Sequence, residues 1–226
     1  MRRLFGGQLP QAVLFDLDGT LVDSVPDLSH AIDRMLARMG QEPVGETAVR
    51  QWVGNGAQML VRRALARHMD ITLANVHPVI FDQAYPLFLR LYGEQLAARS
   101  VLYPGVQHCL DRFKAEGVPM AVVTNKPMQF TTPMLEGFGL SGYFDCVLGG
   151  DSLAQKKPDA APLLQAMQEL GSTPDTTLMV GDSVNDLKAA RAAGCPVACV
   201  PYGYNHGQSI ADSQPDLMVE QLDHLF

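Results

Sequence analysis

The stretch VLFDLDGTLVDS, residues 13–24, decides how the rest of the chain is read. An apolar run, Ala12 to Phe15, reads as a buried strand and ends on two aspartates, Asp16 and Asp18, with Gly19 and Thr20 behind them. Carboxylates at the end of a buried strand are costly unless a partner offsets their charge. Either they sit in a solvated turn, or the fold sets them beside a cation and a substrate.

Further apolar runs follow the same pattern. PMAVVT (119–124) ends at Thr124-Asn125, CVLGG (146–150) in glycines, TLMVGD (177–182) at Asp182, and PVACV (196–200) at Pro201. Helical patterns lie between them, Val106 to Glu116 and Asn185 to Ala193, each followed by a glycine stop, Gly117 and Gly194. Strands alternating with helices predict an α/β fold, a Rossmann-like parallel sheet with helices on both faces. One interval breaks the rhythm. From Ser24 to about Arg99 no strand is evident, whereas Leu28, Ile32, Met35, Leu36 and Met39 recur at helical spacing, and Ala57 to His68 and Val79 to Leu96 also read as helices. Such a block far exceeds the dozen or so residues a crossover needs. We expect residues 25–98 to form a helical cap subdomain inserted into a core made of 1–24 and 99–226. The charges divide accordingly: the insertion has seven basic and seven acidic residues, so the core carries the whole formal charge of −7.

That acidic balance argues against a nucleic-acid partner. No apolar run approaches a membrane span, and the opening MRRLFGGQLPQ has no apolar stretch long enough for a secretory signal. The four cysteines, Cys109, Cys146, Cys195 and Cys199, are too sparse for a disulfide framework, and no second Cys/His pair stands at zinc spacing. A cytoplasmic protein, monomer or homodimer, is the expectation.

Ligands of open parallel sheets bind beyond the carboxyl ends of the strands. Asp16, Thr124 and Asp182 each follow a strand there. Any one alone would read as a turn residue or helix cap; three in the same register read as a site. Asp16 suits a nucleophile, since carboxylates form aspartyl-phosphates. Asp18 stands two residues on, close enough to exchange a proton with a leaving group. Thr124 offers a hydroxyl and Asn125 a backbone N–H to phosphate oxygens; Lys156 and Lys157 offer cations. Asp182, with Asp186 one helical turn further, adds oxygen ligands suited to Mg²⁺. Taken separately, GDSVND (181–186) also fits a helix N-cap, and KKP (156–158) a solvated pair.

DLDGT (16–20), VVTN (122–125), KKP (156–158) and GDSVND (181–186) resemble, in this order, the four motifs of the haloacid dehalogenase-like hydrolases. The resemblance implies that Asp16 is nucleophile and Mg²⁺ ligand. Asp18 would be the general acid/base, its backbone carbonyl also on the metal. Thr124 and Lys157 would hold the phosphoryl group, and Asp182 would complete the protein ligands, with Thr20 and Asp186 supporting from behind. The insertion resembles that superfamily's mobile cap. WVGNG (52–56) and YGYNHG (202–207) further resemble stretches of bacterial phosphoglycolate phosphatases, the first being their specificity loop. Gly54, Asn55 and Gly56 are therefore expected to touch substrate; as a plain turn they would only join two helices. One departure is Ala160, where many relatives place a proline. The expected partner is a small phosphorylated metabolite, 2-phosphoglycolate, hydrolysed with Mg²⁺. A broader sugar-phosphate or pyrophosphate hydrolase, a phosphomutase and a non-catalytic scaffold are the alternatives.

Overall fold

The computed structural model describes residues 1–71 and 76–226, so residues 72–75 of the span assigned to the insertion lie outside the described residues. The chain enters the core on β1 (Ala12–Phe15), then passes through a two-residue strand, β2 (Val22–Asp23). It leaves the core for four helices: α1 (Val25–Arg38), α2 (Gly45–Trp52), α3 (Ala57–Ala66) and α4 (Pro78–Gly93). It returns on β3 (Val101–Leu102) and completes the core with α5 (Val106–Ala115), β4 (Met120–Val123), α6 (Met128–Gly137), β5 (Cys146–Leu148), α7 (Ala161–Leu170), β6 (Thr177–Gly181), α8 (Val184–Ala193), β7 (Val197–Cys199) and β8 (Leu217–Met218).

The fold is α/β. Six parallel strands lie in the order β5-β4-β1-β6-β7-β8. Alternate residues of a strand face opposite sides, and this sheet buries both. Val13 and Phe15, Met120 and Val122, Leu178 and Val180 pack with α5 and α6 on one face. Leu14, Ala121, Val123, Met179 and Val197 pack with α7 and α8 on the other. That double burial is why the strands read as unbroken apolar runs. From central β1 the chain first builds outward through β4, then crosses back to β6 on the other side. The crevice between these strands is where such sheets take ligands.

Helices α1 to α4 bury a separate apolar cluster, including Leu28, Ile32, Met35, Val61, Phe88 and Tyr92. The apolar spacing of α1 continues through Leu36, and Gly40 takes a left-handed φ of 71° where the chain turns away. Both passages between bundle and core run side by side, because β2 and β3 pair antiparallel. Asp27, almost fully buried, ties them: its carboxylate accepts from Arg99 N and Ser100 N at 2.9 Å and from Ser100 Oγ at 2.5 Å.

Sequence reading passed over β2, β3 and β8, each two residues long and too short for alternation to be legible. It also passed over α2, because attention to WVGNG as a loop hid the helix that ends at Trp52. Among the described residues no helix is long and apolar enough to cross a membrane. All four cysteines are free and buried.

Candidate active site

The strand registers assemble the site. Phe15 lies level with Val122 of β4 and Val180 of β6. Asp16 is the next residue, so Thr124 and Asp182 stand one residue beyond its level on the two flanking strands. Neighbouring strands are about 4.8 Å apart and rise about 3.3 Å per residue. Backbone geometry alone therefore gathers three residues spread over more than 160 positions of sequence.

Behind Asp16 the chain reverses: the N–H groups of Thr20, Leu21 and Val22 all reach Leu17 O, and Gly19 N donates to Val22 O. Gly19 has φ +92°, and a Cβ there would lie 2.3 Å from Asp182 Oδ2. Gly203 is under the same constraint from the other side, with a Cβ position 2.3 Å from the same oxygen. Thus two loops close on the Asp182 carboxylate, which Thr20 Oγ1 meets at 2.8 Å and Tyr204 N at 2.5 Å. Thr20 acts through Asp182, and Tyr204 comes from the YGYNHG stretch.

Two buried lysines face the carboxylates. Lys157 Nζ lies 3.0 Å from Asp16 Oδ1 and 2.6 Å from Asp186 Oδ1. The other oxygen of Asp186 accepts from Ser183 N, Ser183 Oγ and Asp182 N, so Asp186 closes the capping box of α8 and orients Lys157 at once. The helix-cap reading of GDSVND holds, and the same residue also meets Lys157. Lys126 Nζ lies 3.1 and 3.3 Å from the two oxygens of Asp18. Burial pushes Asp16 up to about 7, against the opposing pull of Lys157, and Asp186 and Asp18 push it further. Asp182 is raised well above the ordinary range by burial and then by Asp186 and Asp16. Burial pushes Lys157 down, but Asp16 and Asp186 outweigh it and hold the ammonium charged.

Oxygen atoms of Asp16, Asp182 and Asp186 lie within 4.8 Å of one another, all three residues buried. Four carboxylates in the site, with Asp18, oppose two buried lysines. The deficit of two charges and the all-oxygen donor set fit a hard divalent cation. Since Asp186 is taken up by Lys157 and Ser183, Asp16 and Asp182 are the side chains left to hold it. The carboxylate of Asp18 stays with Lys126, which leaves its backbone carbonyl as the atom the motif resemblance assigns to the metal.

The cavity over Asp16 and Asp18 is walled by Thr124, Asn125 and Lys126 from the core. From the bundle come Leu28, Val53, Gly54, Gly56, Ala57, Leu60, Phe88 and Tyr92. The loop between α2 and α3 is docked on the core through its carbonyls. Gly54 O accepts from Asn125 Nδ2 (3.0 Å) and Asn185 Nδ2 (3.2 Å), and Asn55 O from Lys156 Nζ (2.9 Å). The structure places Gly54 and Gly56 at the cavity, but turns the side chain of Asn55 onto Asn185 Oδ1 at 3.4 Å. Asn125 Nδ2 also donates to Lys157 O (2.9 Å), so this residue joins the α2–α3 loop, its own loop after β4 and the loop that carries Lys157. Lys157 and Lys156, adjacent in sequence, take different tasks: one is buried on Asp16, the other meets the cap loop. Sequence reading missed Lys126, Asn185, Tyr204 and Tyr92. The first three lie inside or beside quoted motifs. Tyr92 carries only helical spacing.

The sequence profile of the haloacid dehalogenase-like hydrolases matches residues 13–200. A phosphoglycolate phosphatase of Pseudomonas putida is 50% identical over 97% of this chain and 80% of its own length. One from Nitrosococcus oceani is 47% identical over 94% of this chain and 93% of its own length. The crystal structure of a predicted phosphoglycolate phosphatase from Haemophilus somnus superposes with a TM-score of 0.89 at 39% identity, covering 95% of this chain and 96% of that one.

Proposed function

The chain belongs to the haloacid dehalogenase-like hydrolases and is a phosphoric monoester hydrolase, and from that premise we propose that its substrate is 2-phosphoglycolate, that its cation is Mg²⁺, and that the reaction runs through a phosphoaspartate on Asp16. The observation that carries the mechanism is the juxtaposition of Asp16, Asp18, Thr124, Lys157 and Asp182 at one sheet edge beneath a docked cap loop. We take residues 25–98 as the cap and 1–24 with 99–226 as the core; the separate apolar cluster of α1 to α4 supports that division.

In the first step an Asp16 oxygen bonds to phosphorus as the bond to the glycolate oxygen breaks, and Asp18 gives its proton to that oxygen. In the second, Asp18 takes a proton from water, which attacks phosphorus and frees Asp16. Thr124 Oγ and Lys157 Nζ hold the phosphoryl oxygens, and Lys157 keeps its direction through Asp186. Asp16 and Asp182 would hold the divalent cation, which would supply the charge neutralisation that lets an anionic nucleophile approach an anionic phosphate. The docked cap loop limits the access of bulk water to Asp16 without sealing the cavity.

Two observations favour a small substrate with a second anionic end. Much of the cap wall is apolar, with Val53, Leu60 and Phe88 leaving no row of donors for a sugar. Its polar part is Gly54, Gly56 and Ala57, at the start of α3, where the first helical N–H groups lack intrahelical partners and suit a carboxylate. The two relatives named as phosphoglycolate phosphatases support the same choice. A cytoplasmic location accords with the unpaired, buried cysteines.

The test is phosphate release by the purified protein with Mg²⁺ across a panel of small phosphate esters. Phosphoglycolate should give the highest kcat/KM. A preference for hexose phosphates would overturn the substrate while leaving the phosphatase chemistry standing.

A further inference from the structure

Lys126 has no place in the two steps above, yet it is among the most restrained side chains of the site. Its backbone is fixed three times: Lys126 N donates to Thr124 Oγ1 (3.2 Å), and Lys126 O accepts from Gly150 N (2.8 Å) and Thr131 Oγ1 (3.3 Å). Its ammonium reaches both oxygens of Asp18 and, at 2.6 Å, the hydroxyl of Tyr92. An ammonium has three hydrogens and no acceptor. Here all three have partners in a residue only 5% exposed, and Tyr92 supplies one of them from the other side of the cavity.

Tyr92 belongs to α4, whereas Lys126 and Asp18 belong to the core. Its ring is buried, stacked on Phe88 of its own helix at 5.7 Å and set edge-on to Phe130 of α6 at 4.8 Å. These contacts fix the ring, so the hydroxyl oxygen is a fixed point. Burial, against the pull of Lys126, lifts the phenol to about 12, so it stays neutral at working pH. A neutral, immobile acceptor satisfies the third ammonium hydrogen without competing with Asp18 for the charge.

We infer that Tyr92 is a positioning residue for the acid–base step: its hydroxyl holds the Lys126 ammonium, and through it the plane of the Asp18 carboxyl, so that the cap's α4 completes the proton-transfer geometry of the core. The inference rests on the role given above to Asp18. Without the hydroxyl, the third hydrogen of a buried ammonium has no partner. Lys126 is then free to turn toward the substrate, and Asp18 loses the contact that sets its orientation.

Leaving groups separate this from a structural role. Glycolate departs as an alkoxide and needs the Asp18 proton; p-nitrophenolate departs without one. The ratio kcat/KM covers steps only through departure of the alcohol. Tyr92→Phe keeps the ring and its packing. It should lower kcat/KM for phosphoglycolate by about tenfold to a hundredfold, the worth of one hydrogen bond to a charged group, and that for p-nitrophenyl phosphate by less than about threefold. Lys126→Met should show the same division, and adding Tyr92→Phe to it should cost nothing more. Equal losses on both esters, a rise in KM alone, additive losses in the double variant, or no loss would each overturn the inference. Should Tyr92→Phe fail to fold, Lys126→Met and Lys126→Gln carry the same comparison. If the wild type ignores phosphoglycolate but cleaves another alkyl phosphate, the substrate assignment fails and that ester takes its place in the test.

Discussion

Asp16→Asn should abolish turnover and, in metal-free protein, change how stability depends on pH. Burial raises the Asp16 carboxyl from 3.8 to about 7. The folded form then keeps a proton that the unfolded chain has already released. With more protons on the folded side, stability falls as pH rises, in the window from 3.8 to about 7. Between pH 5 and pH 8 two units of that window are crossed, worth about 2.7 kcal/mol at about 1.4 kcal/mol per unit. The side chain keeps 13% of its exposure, and water reaching it through the cavity weakens the penalty, so we take about half, ~1.4 kcal/mol. For a chain of this length that is a Tm difference of about 3–6 °C. Asparagine has no such titration. In chelator, the wild type should therefore lose about 3–6 °C more than Asp16→Asn on going from pH 5 to pH 8. Asp182 is also raised, in part by Asp16, so in Asp16→Asn its shift shrinks and the difference between the two proteins moves in the same direction. Mg²⁺ should remove the difference, because a bound cation favours the ionised carboxylate. Scanning calorimetry at several pH values makes the measurement. Superimposable pH profiles for the two proteins in chelator would refute the reasoning, as would retained turnover in Asp16→Asn.

Asp18→Asn should cost about 10²–10⁴-fold in kcat/KM for phosphoglycolate, with a smaller loss on p-nitrophenyl phosphate; a loss below that range would move the acid elsewhere. A chelator should stop activity and Mg²⁺ restore it, whereas Ca²⁺, with a larger and more flexible shell, should bind and support little turnover; full activity in chelator would refute the metal assignment. By calorimetry, inorganic phosphate should bind Asp16→Asn only when Mg²⁺ is present, and equal binding in chelator would show that the site does not need a cation to accept a dianion. Gly54→Val should raise KM for phosphoglycolate more than for an aryl phosphate. A Cβ at Gly54 would meet His206 only at ordinary contact distance, 3.5 Å, but φ is +119°, a conformation that strains valine, so the loop should shift and weaken its bonds to Asn125 and Asn185. Equal rises on both esters would make the loop a closure element alone.

The sheet was legible because both its faces are buried: runs such as Ala12 to Phe15 carry no polar alternation, and three of them end at a residue with chemistry to offer, Asp16, Thr124 and Asp182. The insertion was legible through the helical spacing of α1 and its length. What sequence left dark was pairwise. Lys126 stands beside VVTN, but nothing in one dimension shows that its ammonium turns to Asp18, more than a hundred residues earlier. Tyr92 shares the spacing of Phe81, Tyr85 and Phe88, and on that pattern it is simply another core aromatic. Only the docking of α4 against α6 separates its hydroxyl from its ring. Asn55 errs the other way. The WVGNG loop does border the cavity, yet the loop meets the core through carbonyls of Gly54 and Asn55, and which way an amide side chain turns is set by Asn185, from a distant motif.

The charges of the site impose an order on what it binds. Asp16, Asp18, Asp182 and Asp186 face Lys126 and Lys157, and each lysine is already committed to two partners, at least one of them a carboxylate. Neither has charge to spare for a phosphate dianion. A phosphate entering before the cation would meet Asp16 and Asp182 with their repulsion unrelieved, in surroundings where burial has already made ionisation costly. A divalent cation held by Asp16 and Asp182 would change the sign of the problem: it would relieve Lys157 of sole responsibility for Asp16 and free its ammonium for a phosphoryl group. Lys156 stands outside the cavity over Asp16, with its ammonium held on the carbonyl of Asn55. On these charges, cation before phosphate is the order in which each ion would enter a site already able to receive it.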